Sequence, residues 1–453
     1  MKKIICLILA LAMVFGLSAC GNSGDGGKAQ GGAKDGVAVT GSKWAEGLTI
    51  PKLENTNVSW MMSASYDKQA QYDVEGAPNA FYQAWEAWKA TTGSTVDVQV
   101  VVWDNFTTHL TTSAASGEMP DIVYGGTPWF PSWPAKGLVQ PLNDYFDFSE
   151  EKWNKDVMDQ FVWDGKNYVA YAQVPEYFYI CYNKTKFELA GETTPLEHYK
   201  NGNWTWTQFK QTAKNMTNKA ANEYGYNGWC LSLPKSIYSI VGIGEDGSLT
   251  SNIATPKVKR WFSEIYDLYH SGAARADNEK ANFLTTFPSG KDAMIHISQE
   301  EYIRIRKMLD VTGGDTFEIA PNFTFDPNEE TQPLMTSNIY GFSITSQAKN
   351  AKGAAALIDL YYNVHNKIED SYGELGQFGK YLTEDEKKAV LEANKANHEI
   401  NLVQGFGSVQ SLWNTYCGDT IYSATKEGSV SSLLDSFDSV LKAELKEFSG
   451  SIK

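Results

Sequence analysis

Cysteine is scarce in this chain. There are five cysteines in 453 residues, and no two of them form a C-x-x-C pair. Two lie within the first twenty residues, and the other three, Cys181, Cys230 and Cys417, are widely spaced and odd in number. Disulfide frameworks and structural zinc sites need paired or closely spaced cysteines. The sequence therefore predicts neither a disulfide framework nor a zinc site, and we expect no cofactor.

The motifs of several enzyme classes are also absent. The chain contains no G-x-x-x-x-G-K-[ST], no H-E-x-x-H and no G-x-S-x-G. A G-x-G-x-x-G match at 242–247 is followed by a segment without an apolar helical face, so we interpret it as a surface loop. The six histidines lack ligand spacing, and His296 is predicted to be an ordinary hydrogen-bonded histidine. A glycosidase carboxylate pair leaves no such motif and stays an open alternative.

Positive charge is in deficit, and long hydrophobic runs are missing. The chain has 39 Lys and Arg against 54 Asp and Glu, a formal net charge of −15. Such a balance argues against a nucleic acid or an anionic membrane surface as the binding partner. The apolar run Ile4–Leu17, preceded by Lys2 and Lys3, is too short to span a bilayer but is typical of a signal peptide.

The apolar run ends in Leu17-Ser18-Ala19-Cys20, which resembles a bacterial lipobox. We predict a signal peptide over 1–19 and lipidation of Cys20, which would anchor the protein on the extracytoplasmic face of the cell membrane. The alternative is an ordinary signal peptide with an incidental cysteine. Residues 20–52 are predicted to be the lipidated cysteine and a flexible tether, because a tract rich in Gly, Ser, Asn, Lys and Asp cannot bury a core.

Aromatic residues, in contrast, are abundant. The chain has 14 Trp, 24 Tyr and 21 Phe, together 13% of its residues. Trp and Tyr combine a flat apolar area with a polar group, so this abundance favours a recognition surface in addition to a core. The hydrophobic content of 42% and the charged content of 21% are typical of a globular protein, with a length that allows two or three domains.

Strand and helix patterns alternate in the first part of the chain. Val58–Met62, Thr95–Val102 and Asp121–Tyr124 are apolar and β-prone, and segments with helical apolar faces separate them. This order predicts an α/β fold with a parallel sheet and right-handed crossovers. Ligands of such sheets lie beyond the carboxyl ends of the strands, which is where Gly125-Gly126-Thr127 and Trp129 fall. We therefore predict that this stretch forms half of a binding cleft.

Turn and capping signals place further elements. Asp164-Gly165 predicts a hairpin, and Tyr177–Tyr182 and Ala293–Ile297 predict strands. Asp104 is the predicted N-cap of the helix that follows the second strand. Ser298 with Glu301 predicts a capping box, in which each residue hydrogen-bonds the backbone of the other at a helix start.

Four segments, taken with the lipobox, form a specific set. They are TVDVQVVVWDNFTTHLTTSAASGEMPDIVYGGTPWFPSWPAKGLVQPLNDYF, YFYICYNKTKFELAG, GKDAMIHI and IYGFSITSQAKNAKGAAALIDLYYN. As a set they resemble the family 1 extracellular solute-binding lipoproteins of bacterial ABC importers, especially the carbohydrate-binding ones. The resemblance implies a two-lobed, type II periplasmic-binding-protein-like fold, with mostly parallel sheets flanked by helices and three hinge crossings.

The resemblance also implies the division of the chain between the lobes. We expect lobe 1 to comprise 53–174 plus 297–345, and lobe 2 to comprise 175–296 plus 346–453. The chain departs from the family after Ile297, where the family often has Gly and Trp and this chain has Ser298-Gln299-Glu300. The departure suggests hydrogen bonding to a ligand at this position.

The function implied by the resemblance is capture of a sugar or oligosaccharide in the cleft, without catalysis, for delivery to ABC permease subunits. Aromatic rings would cover the C–H faces of the sugar, and polar side chains would pair with its hydroxyls. The expected ligand-binding residues are Tyr66, Asp67, Trp103, Gly126, Thr127, Trp129, Glu176, Tyr177, Trp229, Ser298, Gln299, Tyr340 and Trp413. A cell-surface glycoside hydrolase and a non-catalytic surface adhesin stay open as alternatives. We expect a monomer that contacts the membrane through the lipid on Cys20.

Overall fold

The computed structural model describes most of the chain. The described residues are 36–74, 76–173, 177–228, 233, 239–243, 248–275, 283–312, 315–325, 334–335, 339–395, 398–399, 406–416 and 430–448. The predicted signal peptide and lipobox with Cys20, and the expected ligand contacts Glu176 and Trp229, lie outside these residues.

Sixteen strands are found in the described residues. They are β1 (Val37–Ala38), β2 (Thr49–Ile50), β3 (Ser59–Met62), β4 (Asp97–Val100), β5 (Ile122–Gly126), β6 (Val162–Trp163), β7 (Lys166–Asn167), β8 (Phe178–Asn183), β9 (Tyr224–Asn227), β10 (Val241–Ile243), β11 (Leu249–Ser251), β12 (Asp292–Ser298), β13 (Phe317–Pro321), β14 (Leu334–Met335), β15 (Tyr340–Ile344) and β16 (His398–Glu399).

The α-helices of the same residues alternate with these strands. They are α1 (Tyr66–Tyr72), α2 (Ala80–Thr92), α3 (Phe106–Ser116), α4 (Ser132–Ala135), α5 (Lys155–Met158), α6 (Lys184–Ala190), α7 (Pro195–Lys200), α8 (Trp206–Asn215), α9 (Pro256–His270), α10 (Phe283–Thr286), α11 (Gln299–Thr312), α12 (Ala351–Asp370), α13 (Gly376–Gly379), α14 (Glu384–Ala393), α15 (Gly407–Thr415) and α16 (Val430–Glu447). Within the described part of the chain, none of the helices combines the length and the apolarity that a membrane span requires.

A first four-stranded sheet has the order β15-β5-β3-β4. β3 runs parallel to both β4 and β5, as the strand–helix–strand pattern predicts, and β15 pairs antiparallel with β5. The helix α2 lies between β3 and β4 in the chain, and the indoles of Trp85 and Trp88, three residues apart on one helical face, are fully buried. The α/β arrangement predicted for this region is therefore confirmed.

A second four-stranded sheet has the order β13-β8-β12-β9. β12 is parallel to β9, whereas β8 is antiparallel to both β12 and β13. This sheet therefore has more antiparallel than parallel pairs, although mostly parallel pairing was expected. The difference arises because β8 starts at the sheet edge where β12 ends, with Phe178 opposite Ser298, and antiparallel neighbours need no helical crossover.

The expected division of the chain between the lobes is wrong for residues 297–325. β12 continues to Ser298 inside the second sheet, and β13 pairs with β8 of that sheet along its whole length. The short apolar run Phe317–Pro321 gives no sequence signal of the sheet to which it belongs, because a buried strand can satisfy its backbone in either sheet. The chain thus leaves the second sheet only after β13.

The expected division is also wrong for α12, which was placed in lobe 2. This helix packs against α2 beside the first sheet. The hydroxyl of Tyr362 donates to the carbonyl of Ala170 at 2.7 Å, and Ala170 in turn pairs with Phe342 of β15. In the described residues, the chain crosses between the two sheets after Gln173, after β13 and after α12, and the last two of these three crossings lie elsewhere than expected.

The predicted flexible tether over 20–52 is wrong for its C-terminal part. Residues 37–50 form the antiparallel pair β1 and β2 around a short 3₁₀ helix, Lys43–Ala45. Val39, Ala45 and Ile50 are buried, and the hydroxyl of Ser42 donates to the side chain of Gln83 at 2.7 Å. Apolar residues return to the sequence before residue 52, and their burial against α2 and α12 stabilises a fixed conformation.

Most local signals are confirmed, and one is wrong. The hairpin forms between β6 and β7 with Asp164 and Gly165 at positive φ, which such turns require. At the start of α11, the Ser298 N–H donates to the Glu301 carboxylate at 2.9 Å and the Glu301 N–H donates to the Ser298 hydroxyl at 3.3 Å. Asp104, however, lies inside a 3₁₀ helix, and α3 begins after Asn105 without a side-chain cap.

Candidate functional site

The strand ends of the two sheets define the candidate site. In the first sheet, β3, β4 and β5 end at the edge where β15 begins, since Tyr340 pairs with Gly126. In the second sheet, β9 and β12 end at the edge where β8 begins. Side chains beyond these edges can face a ligand without interrupting the sheets.

Aromatic rings cover the edge of the first sheet. We call Trp103, Tyr124, Trp129 and Tyr340 the aromatic wall. The indole of Trp103 is 37% exposed, and its centroid lies 5.1 Å from Tyr340 in an edge-on contact and 5.2 Å from Trp129. Trp129 itself is only 6% exposed and stacks on Trp133 at 4.9 Å. Trp103 can therefore contact a ligand, whereas the predicted contact Trp129 lies behind it and supports it.

Gly126 and Thr127 hold the end of β5 against the segment that enters β15. The φ of Gly126 is 132°, and a Cβ atom there would lie 1.9 Å from the carbonyl oxygen of Ile339. The Thr127 N–H donates to that carbonyl and the Thr127 hydroxyl accepts from the Ile339 N–H, each at 3.1 Å. Thr127 is 1% exposed. Both residues were expected to face the ligand, but the structure gives them a role in backbone packing.

Tyr66 and Asp67 start α1, beyond the end of β3. The Tyr66 ring stacks on Trp85 at 5.4 Å, and its hydroxyl donates to the carboxylate of Glu86. Partial burial, followed by this hydrogen bond, raises the pKa of Tyr66. Asp67 is exposed in the first turn of α1. Tyr66 is thus bound within its own lobe, while the carboxylate of Asp67 is accessible to a solute.

Polar side chains cover the edge of the second sheet. We call His296, Ser298, Gln299 and Glu300 the polar wall. Ser298 and Gln299 are partly exposed; the Ser298 hydroxyl accepts the capping bond of α11, and the Gln299 amide donates to the Tyr179 hydroxyl at 3.2 Å. The exposed carboxylate of Glu300 pairs with Arg304 at 2.7 Å. The predicted contacts Ser298 and Gln299 thus lie at this edge, each oriented by a neighbour.

Glu300 of the polar wall lies close enough to Tyr124 of the aromatic wall to affect the pKa of Tyr124. Burial is the main cause that raises the pKa of Tyr124; a hydrogen bond from Ser63 lowers it, and the negative charge of Glu300 raises it further. This electrostatic effect requires the first turn of α11 to lie near the end of β5, since charge interactions weaken with distance. Neither Glu300 nor Tyr124 was among the residues expected from the sequence.

His296 is a polar-wall residue whose environment the sequence did not reveal. The ring is 2% exposed and stacks on Phe178 at 4.8 Å. Neither ring nitrogen has a hydrogen-bond partner among the described residues, which contradicts the prediction of an ordinary hydrogen-bonded histidine. Burial lowers the pKa of His296 to about 3, so the ring is neutral at physiological pH.

Two expected ligand contacts are buried: Trp413 lies away from the strand ends, and Tyr177 comes directly before β8. Trp413, on α15, is 0% exposed and stacks on Phe262 of α9 at 5.5 Å, so its prediction as a ligand contact is wrong. Its spacing from Val409 on one helical face was the sequence signal that predicts burial. Tyr177 is 2% exposed within the apolar cluster of Tyr179, and burial raises its pKa.

Metal and nucleotide sites find no support in the described residues. Within the ranges that the structure covers, no group of three or more His, Cys, Asp or Glu is arranged to hold a metal ion. The G-x-G-x-x-G match begins in β10, and the strand that follows it, β11, pairs antiparallel with β10. A phosphate-binding loop would instead lead into a helix. Residues 244–247 of the match lie outside the described residues.

Sequence comparison gives a family and distant relatives. A model of the bacterial extracellular solute-binding protein family matches residues 72–367, more than half of the chain. A protein of Brucella abortus, described by its name as a binding protein, is 27% identical over 198 residues. The alignment covers 41% of this chain and 45% of that protein, so it spans less than half the length of either. A Brucella suis protein with the same description matches equally.

Similar solved structures share the fold over nearly the whole chain. The galacto-N-biose/lacto-N-biose I-binding protein of a Bifidobacterium longum ABC transporter, in complex with lacto-N-biose, has a TM-score of 0.67 at 17% identity and covers 89% of this chain and 100% of its own. An ABC substrate-binding protein of Listeria monocytogenes, in complex with cycloalternan, has a TM-score of 0.61 at 17% identity and covers 86% of this chain and 100% of its own. A cyclo/maltodextrin-binding protein complexed with maltotetraose has a TM-score of 0.61 at 15% identity and covers 87% of this chain and 98% of its own. The two-lobed α/β fold class is therefore confirmed.

Proposed function

Because the chain belongs to the bacterial extracellular solute-binding protein family, we propose that it is the substrate-binding component of an ABC importer. It captures a sugar or oligosaccharide between the aromatic wall and the polar wall, delivers it to membrane permease subunits and catalyses no reaction. The similar structures described above are complexes with lacto-N-biose, cycloalternan and maltotetraose, which supports a carbohydrate as the solute.

The observation that carries this proposal is the exposed indole of Trp103 at the end of β4. A partly exposed tryptophan costs free energy in water, because part of its apolar area is not removed from solvent. Tyr340 and Trp129 hold the ring from two sides, so little side-chain entropy is lost when a flat ligand packs on it. The axial C–H groups of a pyranose provide such a flat apolar surface.

The polar wall supplies the groups that a sugar's hydroxyls require. Gln299 presents an amide, Glu300 a carboxylate and His296 two ring nitrogens that lack partners among the described residues. A hydroxyl that is buried without a partner costs about 1–3 kcal/mol, so these groups would favour one arrangement of hydroxyls over others. The carboxylates Asp67 and Glu300 near the strand ends also favour a neutral sugar over an anionic one.

Closure of the two lobes over the sugar would make the complex that the permease recognises. Three crossings between the sheets permit a hinge motion in which few backbone dihedrals change. A micromolar dissociation constant, suited to capture and later release, corresponds to about −8 kcal/mol. The proposal includes a lipid on Cys20 that keeps the monomeric protein at the cell membrane beside its transporter.

The carboxylates at the start of α11 favour binding over hydrolysis. A glycosidase needs one carboxyl group as acid and a second as base or nucleophile, both free to reach the glycosidic bond. Burial raises the pKa of Glu301, as in a general acid, but its carboxylate accepts the Ser298 N–H and is held by the cap of α11. Glu300 is paired with Arg304. The two free carboxyl groups that hydrolysis needs are therefore not both present at the start of α11.

The experiment that tests the proposal is a thermal-shift screen of the mature protein against mono-, di- and oligosaccharides. We expect one sugar class to raise the melting temperature, since a ligand at 100 times its dissociation constant stabilises the folded state by about 2.7 kcal/mol. No response to any sugar would support a surface adhesin. Chromatography of the incubated sugars completes the test, because released products would support a glycoside hydrolase.

A further inference from the structure

A cavity of about 380 Å³ lies in the second lobe, at the edge of the second sheet opposite the candidate sugar site. We call it the back cavity. The start of β13, Phe317 and Glu318, forms one side, whereas the sugar site lies at the sheet edge where β13 ends. Arg306 from α11 and the segment from Lys380 to Glu386 complete the lining. The volume lies within the range of small-molecule sites in proteins.

The carboxylates of the back cavity are already occupied by protein donors. Glu386 is 1% exposed and accepts the N–H groups of Ile319 and Thr383, each at 2.6 Å. Glu318 accepts the hydroxyl of Tyr182 and the ammonium of Lys184, again at 2.6 Å each. These hydrogen bonds occupy two of the roughly four lone-pair sites of each carboxylate, so each has less capacity to pair with the cations of the cavity.

The cations of the back cavity form no ion pair with a carboxylate among the described residues. One guanidinium nitrogen of Arg306 donates to the Phe317 carbonyl at 3.0 Å, but its Nε is buried without an acceptor in the described part of the chain. Lys380 donates to the Gly76 carbonyl at 3.4 Å, its ammonium lies 5.8 Å from the ring centroid of Tyr381, and it forms no ion pair with a described carboxylate. A buried N–H of a charged group that remains unpaired is destabilising, so an acceptor in the cavity would stabilise the protein.

We propose that the back cavity binds a small anion that carries a carboxylate or phosphate group. Arg306 and Lys380 hold the anionic group, because a guanidinium and an ammonium both line the cavity and neither forms an ion pair with a described carboxylate. Phe317 and Leu382 contact the apolar part of the molecule. The site is separate from the sugar site and does not depend on the proposed function.

The back cavity adjoins a contact between the two lobes. Partial burial and the charge of Lys380 lower the pKa of Lys307, which follows Arg306 on α11. An anion beside Lys380 would relieve this repulsion. Lys380 and Tyr372 both donate to the carbonyl of Gly76, which lies in the loop between α1 and α2 of the first lobe. The anion thus stabilises the segment through which the chain joins the two lobes.

The test uses sodium citrate and sodium phosphate, each compared with sodium chloride at the same ionic strength. Calorimetric titration and thermal shift are measured for the mature protein, Arg306→Gln, Lys380→Gln and the control Lys387→Gln. Lys387 is a lysine of α14 that is paired with Glu384 at 2.8 Å outside the cavity. We expect saturable binding of citrate or phosphate to the wild type and the control. The dissociation constant rises at least tenfold in the other two variants.

The two anions separate the two sources of an anionic group: binding of citrate alone indicates an organic carboxylate, and binding of phosphate alone indicates a phosphate-bearing solute. Lys380 is exposed, so Lys380→Gln is expected to fold even if Arg306→Gln does not. Sugar binding should be unchanged in all three variants. Melting temperatures that match those in chloride, or binding by Lys380→Gln as tight as that of the wild type, would overturn the proposal.

Discussion

The two walls of the candidate site differ in what holds their side chains in place. On the aromatic wall, rings support rings: Trp103 rests against Tyr340 and Trp129, and Trp129 stacks on Trp133. On the polar wall, polar contacts hold every side chain except that of His296, as when the Tyr179 hydroxyl accepts from the Gln299 amide. Ring contacts restrict rotation without using donors or acceptors, whereas hydrogen bonds consume part of the polar capacity that a ligand would use.

This difference assigns distinct contributions to the walls. Apolar contact on Trp103 depends on area and varies little between sugars, so the aromatic wall mainly sets affinity. Pairing of hydroxyls depends on their positions, so the polar wall mainly sets which sugar is bound. Four substitutions test the comparison, ordered from the largest expected effect to the smallest.

Gly126→Ala tests whether the aromatic wall depends on the backbone behind it. The added Cβ would lie 1.9 Å from the Ile339 carbonyl oxygen at a φ of 132°, so we expect a loss of about 3 kcal/mol in the free energy of unfolding. The control Gly137→Ala also has positive φ, 65°, but meets no atom within 4 Å, and should cost about 1 kcal/mol. Urea denaturation measures both; equal losses would show that the close approach to Ile339 is unimportant.

Trp103→Ala removes the exposed ring of the aromatic wall. We expect the sugar identified by the screen to bind with about 2 kcal/mol less free energy, a roughly 30-fold weaker dissociation constant, because truncation of a central aromatic contact typically has this effect. The control Tyr72→Ala removes a ring that is 52% exposed at the end of α1. Calorimetric titration should show no change for the control; a change of similar size in both variants would contradict the role of Trp103.

His296→Phe tests the environment of the polar wall through its pH dependence. The folded-state pKa of about 3 lies below the ordinary 6.5, so as pH falls the unfolded state takes up the proton first. Stability from the neutral ring is present above pH 6.5 and is lost toward pH 3, by up to about 1.4 kcal/mol per unit. The variant should show a shallower loss in urea denaturation between pH 6.5 and 4. An unchanged slope would show that His296 is not shielded from solvent.

Gln299→Ala removes one amide from the polar wall. We expect affinity for the preferred sugar to fall by about 1 kcal/mol, the size of one hydrogen bond, and the preference over its epimers to fall with it. Gln211→Ala is the control, because its amide bonds Asn215 on the exposed side of α8. Titration with the sugar and one epimer measures both quantities. A uniform loss for both sugars would assign Gln299 to affinity, against the proposed division between the walls.

The sequence predicted what depends on local patterns. The buried face of α2 follows from the spacing of Trp85 and Trp88, and the start of α11 follows from the Ser298–Glu301 pair. Each rests on contacts within a few residues, where periodicity and capping are informative. Membership of β13 in the second sheet depends instead on pairing with β8, more than one hundred residues earlier, which no local pattern encodes.

The candidate site was predicted only in part for a related reason. The sequence does not indicate whether the ring of an aromatic residue after a strand faces solvent, as in Trp103, or lies behind another ring, as in Trp129. The role of Gly126 was misjudged because a glycine that lets a ligand approach and one that lets the Ile339 carbonyl approach have the same sequence signature. Glu300, on α11, and Tyr124, in β5, are far apart in the sequence, so no local pattern predicts that they lie near each other.

The most direct test of the central claim is a calorimetric titration of the mature protein with the sugar identified by the screen. The solution in the calorimeter cell is then analysed by chromatography. The account predicts one binding site per chain, a micromolar dissociation constant and recovery of the sugar intact. Absence of saturable binding to any sugar, or conversion of the sugar to smaller products, would contradict it.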